Sequence, residues 1–365
     1  MNSLGIYIHV PFCGKKCGYC DFYSLSYSKK TAEQYVQAVL RNLRHYSDKN
    51  TVTDTVYFGG GTPSLLTAEQ IGAVISEIRD SFSLSDNAEI TLEANPCTLT
   101  ADKLTNLRRV GINRLSIGVQ SMLDEELELL GRTHSSDRAV KAVLDANAAG
   151  FNNISCDLML ALPSQTPEKL KYSIERMAAL PIQHISAYIL KTEKNTPFDC
   201  DEVRSTLPDD DETAELYLGM VRLMEEHGFM QYEVSNFAKS GFESRHNCRY
   251  WKCLDYIGIG PSAHSCYQGK RFAVKRDLQS FLDFPVQPTV ITDENPCGFE
   301  ELSMLKLRLR EGLNLNDVSS HREQIEKKIP DLLKAGYISF DGNNIALTPE
   351  GFLMSNSVIG YLIFE

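Results

Sequence analysis

The chain has 365 residues, with 37 Lys or Arg against 48 Asp or Glu, so its formal net charge at pH 7 is −11 with histidine neutral. Hydrophobic residues make up 42 % and charged residues 23 %, which excludes a mainly disordered chain. The acidic balance excludes broad binding to nucleic acid or anionic membranes, because both require a positive surface. We find neither a transmembrane apolar run nor a signal peptide in the sequence, and we therefore expect a cytoplasmic protein.

Over the first 190 residues, short strand-like runs alternate with longer amphipathic segments. The runs are rich in β-branched and aromatic residues and lie at Ile6–Val10, Thr55–Phe58, Glu89–Glu93, Arg114–Val119, Ile154–Leu160 and His184–Leu190. The segments between them have the helical period and lie at Thr31–Tyr46, Ala68–Ser81, Ala101–Arg109, Asp137–Ala149 and Pro167–Ala179. Thr100 and Ser136 are predicted as N-caps, and Gly111 and Gly150 as the glycines that end two helices.

Strand–helix units in this order predict an α/β fold with a parallel sheet and right-handed connections. Six units are too few to close an eight-unit barrel, so we predict an open partial (β/α)6 barrel. By analogy with complete barrels, functional side chains are expected at the carboxyl ends of the strands.

The pattern changes after residue 190. A long helix is predicted at Asp209–His227, with acidic residues at its N-terminus, where they favour the helix dipole. The region 232–268 is rich in aromatic, Gly, His and Cys residues and has no clear period. Pro285 and Pro288 indicate a linker, and we therefore divide the chain into domains 1–284 and 285–365.

The second domain has the order helix, helix, hairpin, which is typical of a winged helix. The helices are predicted near Phe299–Arg310 and His321–Ala335, and the hairpin strands at Tyr337–Phe340 and Ile345–Leu347. Residues 286–365 hold seven Lys or Arg against twelve Asp or Glu. This local excess of acid argues against DNA binding, and no nucleic-acid partner is expected.

Three of the ten cysteines lie close together after the first strand. Cys13, Cys17 and Cys20 form C-x₃-C-x₂-C, and three thiolates can ligate three irons of a [4Fe–4S] cluster, leaving the fourth iron open to another ligand. A zinc site with a distant fourth ligand is the alternative, but this spacing is unusual for zinc. Four isolated cysteines are interpreted as small apolar residues or free thiols: Cys97, Cys156, Cys200 and Cys297.

With this motif the chain resembles the radical S-adenosylmethionine (SAM) superfamily. The resemblance implies a [4Fe–4S] cluster whose open iron binds SAM. It also implies SAM contacts from residues in the motif loop and at the strand ends: Tyr7, Tyr19, Gly60, Gly61, Thr62, Glu93, Gln120, Arg132 and Asp157. Polar groups beside apolar strands need a partner or a ligand, and an ion pair between Glu93 and Arg132 is the structural alternative.

Within the superfamily, the stretch Tyr7–Cys13 resembles the family of anaerobic coproporphyrinogen III oxidases and HemW heme chaperones. The oxidases carry a fourth cysteine where this chain has Phe22, and they have an N-terminal extension where this chain begins a few residues before its first strand. Both differences disfavour oxidation of coproporphyrinogen III, which remains the alternative function. We assign no catalytic residue and do not expect the chain to act mainly as an enzyme.

His246-Asn247-Cys248-Arg249-Tyr250-Trp251 matches the H-N-x-x-Y-W pattern that the chaperone branch associates with heme. The resemblance implies heme contacts from His246, Asn247, Tyr250 and Trp251, with His246 as the ligand of the heme iron.

Other groups in the same region raise further hypotheses. The propionates could pair with the cationic side chains Arg245, Arg249 and Lys252. Cys248 or Cys266 could be a second heme ligand or could be redox-sensitive. Two alternatives stay open: His246 and Trp251 only support the barrel, or the histidines and cysteines of 246–266 bind zinc.

The resemblance therefore implies a heme chaperone. Its partners would be heme and acceptor apoproteins, respiratory hemoproteins among them. Whether the chain forms a homodimer stays open.

Overall fold

Side-chain alternation along the strands explains how the main sheet separates a hydrophobic core from a polar site. In the first strand, Ser3–Val10, the even-numbered Ile6, Ile8 and Val10 are completely buried, whereas Tyr7 is only partly buried. Successive side chains of a strand point to opposite faces. One face of the sheet therefore packs in the hydrophobic core, and the other carries aromatic and polar side chains.

A computed structural model describes residues 3–364. Its strands are β1 Ser3–Val10, β2 Phe12–Cys13, β3 Leu25–Ser26, β4 Asp48–Gly60, β5 Phe82–Ala94, β6 Arg114–Gln120, β7 Ile154–Leu160, β8 His184–Ile189, β9 Met230–Glu233, β10 Asn236–Ala238, β11 Tyr256–Ile259, β12 His264–Tyr267, β13 Lys270–Val274, β14 Thr289–Asp293, β15 Leu313–Asn314, β16 Ile338–Phe340 and β17 Asn344–Leu347.

The main sheet has twelve strands in the order β14-β13-β12-β11-β1-β4-β5-β6-β7-β8-β10-β9. The strands β1, β4, β5, β6, β7 and β8 are parallel to their neighbours in this series, which confirms the open (β/α)6 arrangement. The sequence did not predict that β11 would pair parallel to the outer edge of β1. The sheet does not close, and antiparallel strands extend both of its edges.

Most of the predicted helices begin and end close to their predicted positions, but the helix predicted at His321–Ala335 is divided in two, and several short helices were not predicted. Residues 3–364 contain fifteen α-helices. They are α1 Lys29–His45, α2 Ala68–Ser81, α3 Ala101–Val110, α4 Asp124–Leu129, α5 Ser136–Ala148, α6 Pro167–Ala178, α7 Asp201–Arg204, α8 Asp210–Glu226, α9 Arg245–Trp251, α10 Leu278–Asp283, α11 Phe299–Lys306, α12 Arg322–Glu326, α13 Ile329–Lys334, α14 Pro349–Leu353 and α15 Ser355–Ile363. Thr100 is the N-cap of α3, as predicted. The N-cap of α5 is Ser135 rather than Ser136, because the Ser135 side chain accepts the Arg138 N–H.

The C-terminal unit has helices around a three-stranded sheet of order β15-β17-β16, and its hairpin lies where the sequence predicts it. The predicted domain boundary at residue 285 stays a prediction. β14 pairs with β13 of the main sheet, and the buried Gln287 bonds to Asn42 and to Gly258. The segment that contains Pro285 and Pro288 thus packs on the barrel.

Candidate functional site

The three cysteines of the motif line one cavity at the carboxyl end of the parallel strands. Cys13 ends the short strand β2, and Cys17 and Cys20 follow in the loop after it. The cavity has a volume of about 630 Å³. The Thr62 hydroxyl donates to the Cys13 Sγ at 3.6 Å, and an Arg132 guanidinium N–H donates to the Cys17 Sγ at 3.3 Å. Such donors stabilise thiolates, the form of cysteine that binds iron.

Two glycines at the end of β4 let its backbone pack closely against the cysteine loop. Gly60 has φ +109°, a backbone conformation that side chains disfavour. A Cβ atom on Gly61 would lie 2.5 Å from the carbonyl oxygen of Phe12. The backbone of β4 therefore approaches that of the cysteine loop as closely as glycine allows, and the Gly61 N–H donates to the Val10 carbonyl at 2.8 Å.

Glu93 lies at the end of β5 and faces this cavity. Its Oε1 accepts the Tyr57 hydroxyl at 2.9 Å, and its Oε2 accepts the Gly60 N–H at 3.1 Å. Burial, with the nearby charge of Asp157, raises the pKa of Glu93 to about 7. A carboxyl group in this state gains from a cationic partner, and a bound ammonium group would supply one.

Arg132, in the loop between α4 and α5, and Asp157, in β7, also line the cavity. The Arg132 guanidinium donates to the Gly118 carbonyl at 2.7 Å, and its Nε–H has no partner among the described residues. Asp157 accepts the Ser116 hydroxyl at 3.0 Å, and burial raises its pKa. Glu93 and Arg132 form no ion pair in residues 3–364, so the structural alternative for this pair is not realised.

Gln120 ends β6 with φ +73°, in the left-handed region that a glutamine rarely adopts. Such backbone strain is concentrated at binding and catalytic sites. The predicted SAM contacts line the cavity together with the three cysteines, with one exception: they are Tyr19, Gly60, Gly61, Thr62, Glu93, Gln120, Arg132 and Asp157. The exception is Tyr7, which lines a second cavity instead.

The residues present fit a [4Fe–4S] cluster and an amino-acid ligand. The three thiols line one cavity together with the two glycines, an unpartnered guanidinium N–H and two carboxyl groups. Three thiolates leave one cluster iron free for a further ligand.

His246 lies in the barrel, away from the three cysteines. It is completely buried on α9, where its Nδ1 bonds to the Thr55 hydroxyl at 2.9 Å and its Nε2 to the Tyr250 hydroxyl at 2.9 Å. The ring stacks on Tyr57 at 5.2 Å between centroids, and Tyr57 separates it from Glu93. Burial lowers the pKa of His246 to about 3.

Both ring nitrogens of His246 are therefore occupied, and heme iron reaches the imidazole only if α9 moves. Iron ligation by His246 stays a prediction. In this conformation His246 supports the barrel, which is the role that the sequence left as an alternative.

Other residues of the motif also hold α9 in place. Arg249 is 2 % exposed and contacts Asp54, so it does not extend towards a propionate as the sequence suggested. Lys252 pairs with Glu311, which lies between α11 and β15. The Trp251 ring lies 6.0 Å from the Arg308 guanidinium. Trp251 thus contacts the C-terminal unit.

A second cavity, which we call the side cavity, lies between the cysteine loop and α9. Its volume is about 390 Å³, and its lining includes Phe22, Tyr250, Tyr256, His264 and Arg276. Of the four H-N-x-x-Y-W residues, Tyr250 is the one that lines it. Sequence reasoning missed this cavity because its walls come from distant segments. The only local signal was the aromatic composition of 232–268.

The structure also brings together three cysteines that the sequence left separate. Cys297 lies close enough to Cys253 and Cys266 to change their pKa values: it lowers that of Cys253 and raises that of Cys266. Cys297 is thus not isolated, and Cys266 is engaged with it. Cys248 lies elsewhere, and burial raises its pKa to about 12. Neither Cys248 nor Cys266 lines the side cavity.

Two family profiles match the chain: the radical SAM superfamily over residues 7–177 and the HemN C-terminal domain over residues 299–354. Characterised relatives match almost its full length. The heme chaperone HemW of Bacillus subtilis is 35 % identical, with 98 % of this chain and 99 % of the relative covered. The heme chaperone HemW of Escherichia coli is 39 % identical, with 100 % and 99 % covered.

Among solved structures, the coproporphyrinogen III oxidase HemN from Escherichia coli, a radical SAM enzyme, matches with a TM-score of 0.83. The match covers 99 % of this chain and 90 % of the oxidase at 21 % identity. At this identity, the likeness shows a shared fold and nothing about activity. Within residues 3–364, no helix is both long and apolar enough to cross a bilayer.

Proposed function

The chain belongs to the HemW heme chaperone family of the radical SAM superfamily, and from this we propose that it binds heme and delivers it to acceptor hemoproteins. The observation that carries the proposal is similarity to heme chaperones over the whole chain, including both the barrel and the C-terminal unit. We further propose that it does so in the cytoplasm and that the acceptors include respiratory hemoproteins.

We assign the [4Fe–4S] cluster to Cys13, Cys17 and Cys20. Their shared cavity, the Arg132 and Thr62 donors to sulfur and the C-x₃-C-x₂-C spacing support this assignment. When bound, the cluster supplies one-electron redox chemistry and an open iron position for SAM. The protein holds it at the end of the parallel strands.

The SAM ligand is assigned to the same cavity. The Glu93 carboxyl faces this cavity, where burial disfavours its negative charge. An ammonium group bound beside it would stabilise the carboxylate. Arg132 has a free N–H for a carboxylate, and Gly60 and Gly61 bring backbone groups to the wall of the cavity. Gln120, Asp157 and Tyr19 complete the lining.

Heme is assigned to the vicinity of α9. Tyr250 offers it an aromatic wall in the side cavity. Coordination of the iron by His246, with Asn247 and Trp251 beside it, would need α9 to open, since the imidazole is buried and bonded on both sides.

The test uses the full chain, reconstituted anaerobically with iron and sulfide. Heme and coproporphyrinogen III are offered in parallel, with and without SAM, and heme transfer to an apo-hemoprotein is followed by its Soret absorption. We expect saturable heme binding and transfer, with no porphyrin product. Protoporphyrinogen formed in proportion to the SAM consumed would refute the chaperone proposal in favour of the oxidase.

A matched pair of variants tests the cluster assignment. Cys17→Ala should lose bound iron and acid-labile sulfide, because it removes one of three ligands. Cys97→Ala is the control, since Cys97 is exposed and lies outside the cavity. Equal iron content in the two proteins would refute the assignment.

A further inference from the structure

Three histidines surround the side cavity, and only one of them has a ring nitrogen free for a ligand. His246 lies behind Tyr250 and is bonded at both nitrogens. His9 is 5 % exposed, and its ring nitrogens bond to the Tyr7 hydroxyl at 3.1 Å and to the Tyr23 carbonyl at 3.2 Å. His264 is exposed at the start of β12, and its ring makes no hydrogen bond with any described residue.

Aromatic side chains form part of the walls of this cavity. The rings of Tyr250 and Tyr256 lie 4.6 Å apart in an edge-to-face arrangement at 78°, and Tyr7 is a third aromatic residue of the lining. Phe22 is 66 % exposed, an unusual state for a phenylalanine beside a cavity. A planar macrocycle that stacks on one of these rings would remove apolar surface from water.

The cationic side chain of Arg276 also lines the side cavity. The Arg276 guanidinium lies 5.9 Å from the Tyr23 ring, and it donates to the Asp21 carbonyl at 3.0 Å. Its side chain is 55 % exposed, and the Asp21 carboxylate lies 3.9 Å away. Arg276 therefore keeps N–H groups for an incoming carboxylate, and guanidinium groups bind carboxylates in a two-point geometry.

We propose that heme occupies the side cavity with His264 as the axial ligand of its iron and Arg276 paired with a propionate. This inference rests on the proposed heme-binding function. It identifies the ligand of the heme iron in the conformation described above, in which α9 stays packed in the barrel.

The place of this cavity also gives Phe22 a role. Phe22 and Asp21 line both the side cavity and the cavity of the three cysteines. Heme would then lie on one side of Phe22 and the cluster loop on the other. The residue that replaces the fourth cysteine of the oxidases becomes an aromatic wall of the heme site.

The test is a heme titration of the reconstituted full chain and three variants, followed by Soret absorption. His264→Ala should weaken heme affinity by about tenfold or more and shift the Soret band, because the iron loses a protein ligand. Added imidazole should restore the band position in this variant. The control His227→Ala removes an exposed histidine at the C-cap of α8 and should match the parent.

His246→Gln completes the set, since a glutamine amide can keep the hydrogen bonds to Thr55 and Tyr250 that an alanine would lose. We expect it to retain the parent spectrum. The inference is overturned if His264→Ala binds heme like the parent, or if His246→Gln alone loses the Soret band. A parent chain that binds no heme refutes the proposed function itself, a result distinct from either of these.

Discussion

Replacing Arg249 with methionine should destabilise the protein strongly, although the residue lies in a motif associated with heme. The Arg249 guanidinium lies 2.5 Å from the Asp54 carboxylate, and its Nε and Nη2 donate to the Asp255 carbonyl at 3.2 and 3.0 Å. Its stem fills the space beside Gly5, where a Cβ atom would lie 2.7 Å from the Arg249 Cδ. Methionine keeps much of this stem and removes the charge.

The magnitude follows from what Arg249→Met leaves behind. Removing one partner of a buried ion pair costs about 3–5 kcal/mol, because the other charge stays in a poor solvent. Here Asp54 keeps 24 % of its side-chain surface exposed, and Arg245 lies 3.7 Å from it. Both reduce the penalty, and we expect a loss of about 2–4 kcal/mol in the free energy of unfolding.

The assay is urea unfolding of the cluster-free chain, followed by circular dichroism and by the fluorescence of Trp251, the single tryptophan. Arg245→Met is the matched control. Its side chain is 46 % exposed, so it should change stability by about 1 kcal/mol at most. If Arg249→Met unfolds within about 0.5 kcal/mol of the parent, the structural role of Arg249 is refuted. A loss of heme affinity without a loss of stability would favour the propionate contact instead.

Three further predictions concern the cluster cavity and the other thiols. Gly61→Ala should lower iron retention after reconstitution and lower the free energy of unfolding by about 1–3 kcal/mol, because the new Cβ atom meets the Phe12 carbonyl. A variant with full iron content and parental stability would contradict this prediction. The pKa of Glu93 is about 7 in the folded protein and 4.5 as an ordinary value. Between pH 4.5 and pH 7 the folded state therefore binds more protons than the unfolded state, and stability falls as the pH rises through this range. Glu93→Gln should flatten that fall in urea midpoints, and an unchanged slope would refute the assignment. Cys253 should be alkylated by iodoacetamide before Cys297, as judged by peptide mass spectrometry. The neighbouring Cys297 lowers the pKa of Cys253, whereas the pKa of Cys297 itself is raised to about 12. Alkylation in the reverse order would contradict this prediction.

Much of the cluster site was predictable because its signals are local in sequence. Cys13, Cys17 and Cys20 occupy one short loop, so their spacing alone brings them together. Glu93 and Gln120 are polar residues at the ends of apolar strands, and parallel strands place their carboxyl ends at one edge. Tyr7 departs from this scheme. It lies on β1 two residues before His9, and its hydroxyl bonds to that histidine beside the side cavity.

The packing of the proline-containing segment against the barrel was not predictable from the sequence. Pro285 and Pro288 resemble a linker in sequence, because proline interrupts regular structure. In the fold, the segment is held by hydrogen bonds from Arg41 and by strand pairing of β14 with β13. Neither interaction can be inferred from the local amino-acid composition.

The sequence by itself determined the strand–helix order, the cysteine loop and the family, since periodicity, spacing and motif identity are properties of neighbouring residues. The tertiary structure decided what the motif helix does. Thr55 and His246 are 191 positions apart, and only folding brings them to 2.9 Å. That contact buries the imidazole which the motif indicated as the iron ligand. It leaves His264 as the histidine exposed in the side cavity, because the orientation of a side chain depends on packing against distant segments rather than on its own motif.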